Sequence, residues 1–316
     1  MKTREKRNLI FYICIAAVPI LQFIVMWGVV NINTLRLAFM TWDTELGEYV
    51  WAGFENFKSV ISDFLGTNTT GNRVITPYAL GNSVKAYLIS LVVNTPLCFM
   101  FAFYVYKKMR MSKIFQIVLY IPCIVSAIVM TTIYLYFVEE FIPESIASLG
   151  GEGLLSNPET AFVTLIIFSL FYGFGNTAMI YISTMESINP SVVEAAKIDG
   201  CNSLQEFVYI CFPLCFNIIK LNLTTGLMAI LGNDLHLYAF FGGGADERLH
   251  TIGYCLTVAT LHKGKSYPYL AAYSLLVMIF VTPIIMRVKK IFDRMDPFMD
   301  KEHTRKCEKK RRKRLC

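Results

Sequence analysis

Few side chains in this 316-residue chain have the type and spacing that chemistry requires. In one long apolar stretch Ser169, Tyr172, Gly173 and Asn176 recur at i, i+3, i+4 and i+7. That spacing puts a hydroxyl, a phenol and an amide on one face of a helix. In the next apolar stretch Gly226, Ile230 and Asn233 also recur at helical spacing. Hydroxyls and amides hydrogen-bond a polar solute, an aromatic ring offers a stacking face, and glycine lets a ligand come close to the backbone. These seven residues form the candidate solute-binding set. The same residue types would also let helices pack closely.

No catalytic centre stands out. Gly264-Lys265-Ser266 ends like a P-loop, but the first glycine of that motif would fall on Ala259. A P-loop also needs a strand before it and a helix after it. The glycines 242–244, followed by Ala245-Asp246, likewise lack the strand–helix setting of a dinucleotide site. His236, His250 and His262 are spread out and stand apart from carboxylates. The nine cysteines, among them Cys14, Cys98, Cys123, Cys201, Cys211, Cys215 and Cys255, form no Cys-x-x-Cys pair. Neither a metal site nor a disulfide framework is expected. Energy for any transport must come from another chain or from a gradient. A gradient-driven carrier of a small polar solute is the rival reading. It would need intramembrane charges, for which Lys220 and Asp234 are the candidates, with Lys85 nearer an interface. The broken helices and repeated halves of many such carriers are not evident.

The elements that must position these residues are membrane helices. The chain is 55% hydrophobic and 17% charged, against about a quarter charged in soluble domains. Six segments reach the roughly 20 apolar residues needed to cross a bilayer: 9–31, 78–106, 114–138, 161–185, 214–236 and 267–288. Pro96, Pro122 and Pro283 lie inside them and are expected to bend helices. Lys2, Arg4, Lys6 and Arg7 precede the first span, and Lys107, Lys108, Arg110 and Lys113 fill the turn after the second. The loop 139–160 is acidic, and the tail ends Lys309-Lys310-Arg311-Arg312-Lys313-Arg314. Both termini are therefore expected on the cytoplasmic side. The first span is too long for a cleaved signal peptide, and Trp27 and Asn31 suggest an interface. The basic tail is expected to meet anionic membrane lipid, not nucleic acid. The sequon Asn68-Thr69-Thr70 is taken as chance.

Between the fourth and fifth spans, 191–213 reads as two short helices hinged at Gly200. Ser191 with Glu194, and Ser203 with Glu206, have capping-box spacing. Asp199-Gly200 stops the first helix and Pro213 limits the second. Glu194-Ala195-Ala196, Gly200, Ile210 and Pro213 at these distances resemble the EAA signature of membrane subunits of binding-protein-dependent ABC importers. Phe212 stands where that signature usually has Leu, and Asn189-Pro190 replaces an Ile-Pro step. Gly53-Phe54-Glu55-Asn56-Phe57 resembles the G-x-E-N-F element of sugar-type permeases. Asn82-Ser83 opening the second span and Tyr120-Ile121-Pro122 in the third fit the same pattern. The glycines 242–244 resemble the family's Gly-Gly-Pro turn with Ala245 in place of Pro, a change expected to loosen the turn.

The resemblance implies an all-α integral membrane protein with six transmembrane helices and the type I ABC importer permease fold. It divides the chain into a cytoplasmic 1–8, a first span 9–31, an outer loop 32–77, a core 78–297 and a basic tail 298–316. It implies that Glu194, Ala195, Ala196, Asp199, Gly200, Ile210 and Pro213 couple to an ATPase subunit, and that Ser169, Tyr172, Gly173, Asn176, Gly226, Ile230 and Asn233 bind a sugar or oligosaccharide. The implied partners are a second homologous permease subunit, two ATPase subunits and an extracytoplasmic solute-binding protein. ATP and Mg would sit on the ATPase, leaving this chain without a cofactor or enzymatic activity of its own. The implied location is the bacterial plasma membrane.

Overall fold

The computed structural model describes residues 2–67, 74–145, 153–262 and 267–295. The sequon at 68–70, the Gly264-Lys265-Ser266 stretch and the basic tail lie outside them. The elements in order are α1 (2–38), β1 (Met40–Trp42), β2 (Tyr49–Trp51), α2 (Glu55–Phe64), α3 (Pro77–Tyr106), α4 (Ser112–Ile124) and α5 (Ala127–Phe141). There follow α6 (Pro158–Glu186), α7 (Pro190–Ile198), α8 (Ser203–Ala229), α9 (Leu237–Phe241), α10 (Ile252–His262) and α11 (Tyr267–Met295). The described residues fall into two compact units, one drawn from within 1–74 and 259–280 and the other from within 75–258 and 281–295.

The helix α1 exposes apolar side chains along its length, Ile20, Leu21, Val29 and Val30 among them, as a lipid-facing helix does. It overruns the expected end at 31 by a further two turns. Beyond it, β1 and β2 pair antiparallel with Met40 opposite Trp51, a small departure from an all-helical chain. The Gly53–Phe57 element explains itself here. Gly53 takes a φ of 60°, which costs glycine nothing. The Asn56 amide donates to Ala38 O at 2.9 Å and Met40 O at 2.7 Å, answering carbonyls that the end of α1 would leave open. The rings of Phe54 and Phe57 close on Phe39, at 5.4 and 5.2 Å between centroids. In the same unit Asp63 is buried and accepts from Val74 N at 3.0 Å and from Tyr269 Oη at 2.8 Å.

In the second unit α3 packs along α6. Cys98, Phe99, Ala102 and Val105 meet Ala178, Tyr181, Ile182 and Met185, with Cys215 and Ile219 of α8 completing the cluster. The small side chains let the helices approach closely. Gly175 goes furthest, since a Cβ there would collide with the Leu119 carbonyl.

Five helices, α1, α3, α6, α8 and α11, are long and apolar enough to cross a membrane, and α4 with α5 makes a sixth if their 104° bend is read within one span. Two expected spans need correction. The segment 114–138 is broken where Val125 leaves the helix at ψ 143° and Ser126 at ψ 138°. The segment 214–236 stops being helical at Ala229 and starts earlier, at Ser203. Broken helices, not evident in the sequence, are therefore present. Of the prolines expected to bend helices, Pro122 lies just before the α4–α5 break, Pro283 sits inside the continuous α11, and Pro96 follows a π turn. Of the four π-helical turns among the described residues, three, Ser90–Asn94, Phe137–Phe141 and Phe207–Cys211, end two residues before a proline (Pro96, Pro143 and Pro213), and Ile24–Gly28 does not. A proline ring strikes the carbonyl four residues back, and in all three cases that carbonyl lies inside the widened turn.

The second turn of α3 also anchors the loop after α9. Asn82 Nδ2 donates to Arg248 O at 2.7 Å and His250 O at 3.0 Å, and Ser83 Oγ accepts from Ile252 N at 3.0 Å. Replacing Asn82 with Ala strands two carbonyls. We expect a loss of about 1–3 kcal/mol, measured as a lower midpoint of thermal unfolding of the purified chain in detergent.

Candidate functional site

Four of the seven solute-binding candidates line one cavity of about 110 Å³: Ser169, Gly226, Ile230 and Asn233. The rest of its wall comes chiefly from α3, through Ser83, Ala86, Tyr87 and Ser90, and from Thr251. Those α3 positions repeat at i, i+3, i+4 and i+7, the same spacing that singled out α6. The sequence of this apolar span thus carries a polar stripe of its own. Among the described residues the hydroxyls of Ser90 and Ser169 make no hydrogen bond.

The cavity exists because α8 stops. After Ala229 the chain turns through Gly232-Asn233-Asp234, and Leu235 and His236 take φ of 50° and 60°. Left-handed conformations at two successive non-glycine residues cost of order 1–2 kcal/mol each, so the surroundings must impose them. Asn233 Oδ1 accepts from Leu235 N at 3.0 Å, and Asp234 Oδ1 accepts from His236 N at 3.1 Å. Asp234 is thereby a turn residue. Behind the turn, Gly253 leaves room for the backbone at Gly232 and Asn233, where a Cβ would collide.

Tyr87 forms the floor. Its hydroxyl donates to Leu223 O at 3.2 Å, and its ring lies so close to Gly226 that a Cβ there would come within 2.6 Å of Cε2. The other three candidates sit elsewhere. Tyr172 donates to Val125 O at 3.3 Å, satisfying the carbonyl that the α4–α5 break leaves open. Its ring stacks on Phe168 at 5.8 Å and meets His236 edge-on at 5.0 Å. Gly173 has open space beside it, and Asn176 is exposed.

The segment between α6 and α8 forms a second feature. Its caps are shifted from the expected serines. Asn189 Oδ1 accepts from Ser191 N at 3.1 Å with Pro190 as the first helical residue of α7. Proline suits that position because its missing N–H would be unpaired anyway. The second box joins Asn202 and Gln205, at 2.8 and 2.9 Å. Glu206, expected as a capping residue, is buried instead and pairs with Lys107 at 2.7 Å. Gly200 does hinge the segment, with φ at 81°. Cys201 N donates to Ala196 O at 2.9 Å and Gly200 N to Lys197 O at 3.1 Å, a Schellman closure of α7. Glu194, Ala195 and Asp199 are exposed and Ala196 is half-buried. Ile198, at 87% exposure, is the tip. Ile210 and Pro213 do not end a helix. They lie at the π turn through which the chain continues into α8.

The turn expected to be loosened by Ala245 is held instead. Ala245 N donates to Tyr254 Oη at 3.1 Å, a bond proline cannot make, and Tyr254 Oη donates to Gly242 O at 3.0 Å.

The family model described as binding-protein-dependent transport system inner membrane component matches residues 94–301. The chain belongs to this family. It is accordingly a multi-pass inner membrane protein, the permease subunit of a binding-protein-dependent ABC importer and not its ATPase. Among curated relatives, the probable starch degradation products transport system permease protein of Thermoanaerobacterium thermosulfurigenes is 28% identical over 75% of this chain and 77% of its own. The multiple sugar-binding transport system permease protein of Streptococcus mutans is 22% identical over 77% and 82%. The lactose transport system permease protein of Rhizobium radiobacter is 24% identical over 64% and 71%. A chain from the crystal structure of a bacterial ABC transporter involved in import of the acidic polysaccharide alginate superposes with a TM-score of 0.71 at 18% identity, covering 92% of this permease and 98% of that chain. That likeness establishes the fold.

Two substitutions test this geometry. Gly226→Ala should drive Tyr87 off Leu223 and cost about 1–3 kcal/mol. Adding Tyr87→Ala should recover the packing part of that loss in thermal unfolding. Gly200→Val should leave membrane insertion unchanged but strain the hinge by about 1–2 kcal/mol, seen as faster protease cleavage at 196–202.

Proposed function

We propose that this permease forms half of the pathway of an ATP-driven importer for a sugar or oligosaccharide. The cavity supports the reading most directly. Hydroxyls from α3 and α6 and Asn233 line one space just past the end of α8, where non-helical backbone is tolerated in a membrane because it borders a cavity. At about 110 Å³ the space is well below the roughly 300–1,000 Å³ of ordinary ligand sites. A second homologous subunit facing it would supply the remainder. The relatives named for starch products, lactose and multiple sugars support the substrate class.

In this reading both termini and the 190–213 finger face the cytoplasm of a bacterial cell. The exposed face of Glu194, Ala195 and Ile198 docks on one of two ATPase subunits, with Gly200 setting its angle. An extracytoplasmic binding protein delivers the solute. ATP closing the ATPase dimer draws the fingers together and shifts the population from inward-open to outward-open. The gradient-driven alternative loses its two charged groups, since Lys220 pairs with Asp293 at 2.6 Å and Asp234 is committed to its turn.

The test is co-expression with an EAA-bearing permease, an ATPase and a solute-binding protein from neighbouring genes. Co-purification of the ATPase and ATP-dependent uptake of a labelled oligosaccharide into vesicles are expected. Uptake by this chain alone, or labelling of Cys201 only from outside the cell, would overturn the proposal. Ser169→Ala removes a hydroxyl that makes no hydrogen bond among the described residues. It should lower uptake about three- to tenfold while the complex assembles normally.

A further inference from the structure

Glu206 is the least expected side chain in the finger. It is 3% exposed, one carboxylate oxygen is held by Lys107 Nζ at 2.7 Å, and the other, Oε1, has no partner among the described residues. An ion pair with its carboxylate buried, its ammonium partly exposed and one oxygen left over is a poor way to gain stability, because desolvation of the carboxylate offsets the attraction. Its value lies in direction. Phe99 and Phe103 on one face of α3 and Lys107 at its C-cap repeat every four residues. Phe103 and Phe99 meet Phe207 at 5.0 and 5.2 Å, and Phe99 meets Phe212 at 5.9 Å. Ring contacts tolerate sliding, whereas a charge-assisted hydrogen bond fixes register. Higher up, the same helix carries Ser83, Tyr87 and Ser90 into the cavity, and its Tyr87 is bonded to α8.

We propose that the Lys107–Glu206 pair is the positioning contact through which movement of the finger is passed to α3, and by α3 to the cavity wall. The inference rests on the reading of 190–213 as the ATPase-facing segment. Lys107 is then more than a topology signal in the α3–α4 turn, and Glu206 is a specific link that no capping role explains.

The decisive variant is K107M/E206M, assayed in the full complex reconstituted in vesicles. Replacing both members of such a pair with apolar groups of similar size is often neutral for stability, so the double variant should accumulate and retain the ATPase. Its ratio of oligosaccharide imported to ATP hydrolysed should fall roughly tenfold, within the range produced by residues that carry coupling between sites. The exchange K107E/E206K should restore that ratio to near the wild-type value. A purely structural pair would change the amount of complex and leave the ratio intact. A wild-type ratio in K107M/E206M, or an exchange variant that assembles and stays uncoupled, would overturn the inference. Should the wild-type chain retain no ATPase, the proposed function itself falls and this link falls with it.

Discussion

A carbonyl oxygen exposed inside a bilayer has no water to turn to, and this fold depends on how that demand is met. At several breaks and loop carbonyls a side chain reaches from elsewhere to close the open group, and at one point a side chain adds a bond within a helix. Tyr172 answers Val125 at the α4–α5 break, and Tyr87 reaches the carbonyl of Leu223 in the last turns of α8. Asn82 answers Arg248 and His250, while Asn56 answers Ala38 and Met40. Each bond contributes little alone, but leaving its acceptor buried and empty would cost more than the bond contributes. Phenols and amides in these helices therefore serve first as stand-ins for backbone. Only the remainder are available to a solute.

That division explains how much could be read in advance. The six apolar runs, the hinge at Gly200 and the Gly53–Phe57 element follow from local rules of length, φ and capping. Four of the seven solute-binding candidates surround one cavity because helical spacing is a local property too. Tyr172 carries the same signal yet spends its hydroxyl on Val125, 47 residues away in sequence, and spacing cannot show that commitment. A bend is expected from Pro122, but not its size of 104° or its place at Val125-Ser126, which contains neither Gly nor Pro. At the end of α8, Gly232-Asn233-Asp234 is a turn signal that the surrounding leucines concealed. The caps slipped because Ser-x-x-Glu fits a template at both helices. Pro190 and Gln205 decide for Asn189 and Asn202.

The two functional features are properties of one unit and share a helix. α8 begins in the finger and ends at the cavity, so its length sets the distance between them. α3 runs beside it, joined by rings and an ion pair below and by Tyr87 above. Glycine at 226 permits that upper contact, and the π turn at Phe207–Cys211 lets α8 pass Pro213 without breaking. A polypeptide with few polar side chains thus concentrates them at junctions.

The π turn at Ser90–Asn94 has its own consequence, since it inserts an extra residue between the halves of α3. An ordinary α-helix advances about 100° per residue, so this insertion sets the azimuth of everything beyond it. Ser83, Tyr87 and Ser90 point one way, and Phe99, Phe103 and Lys107 are indexed to another neighbour. Deleting a single residue there would rotate the lower half out of phase with the upper, severing the two tasks without altering any residue that performs either.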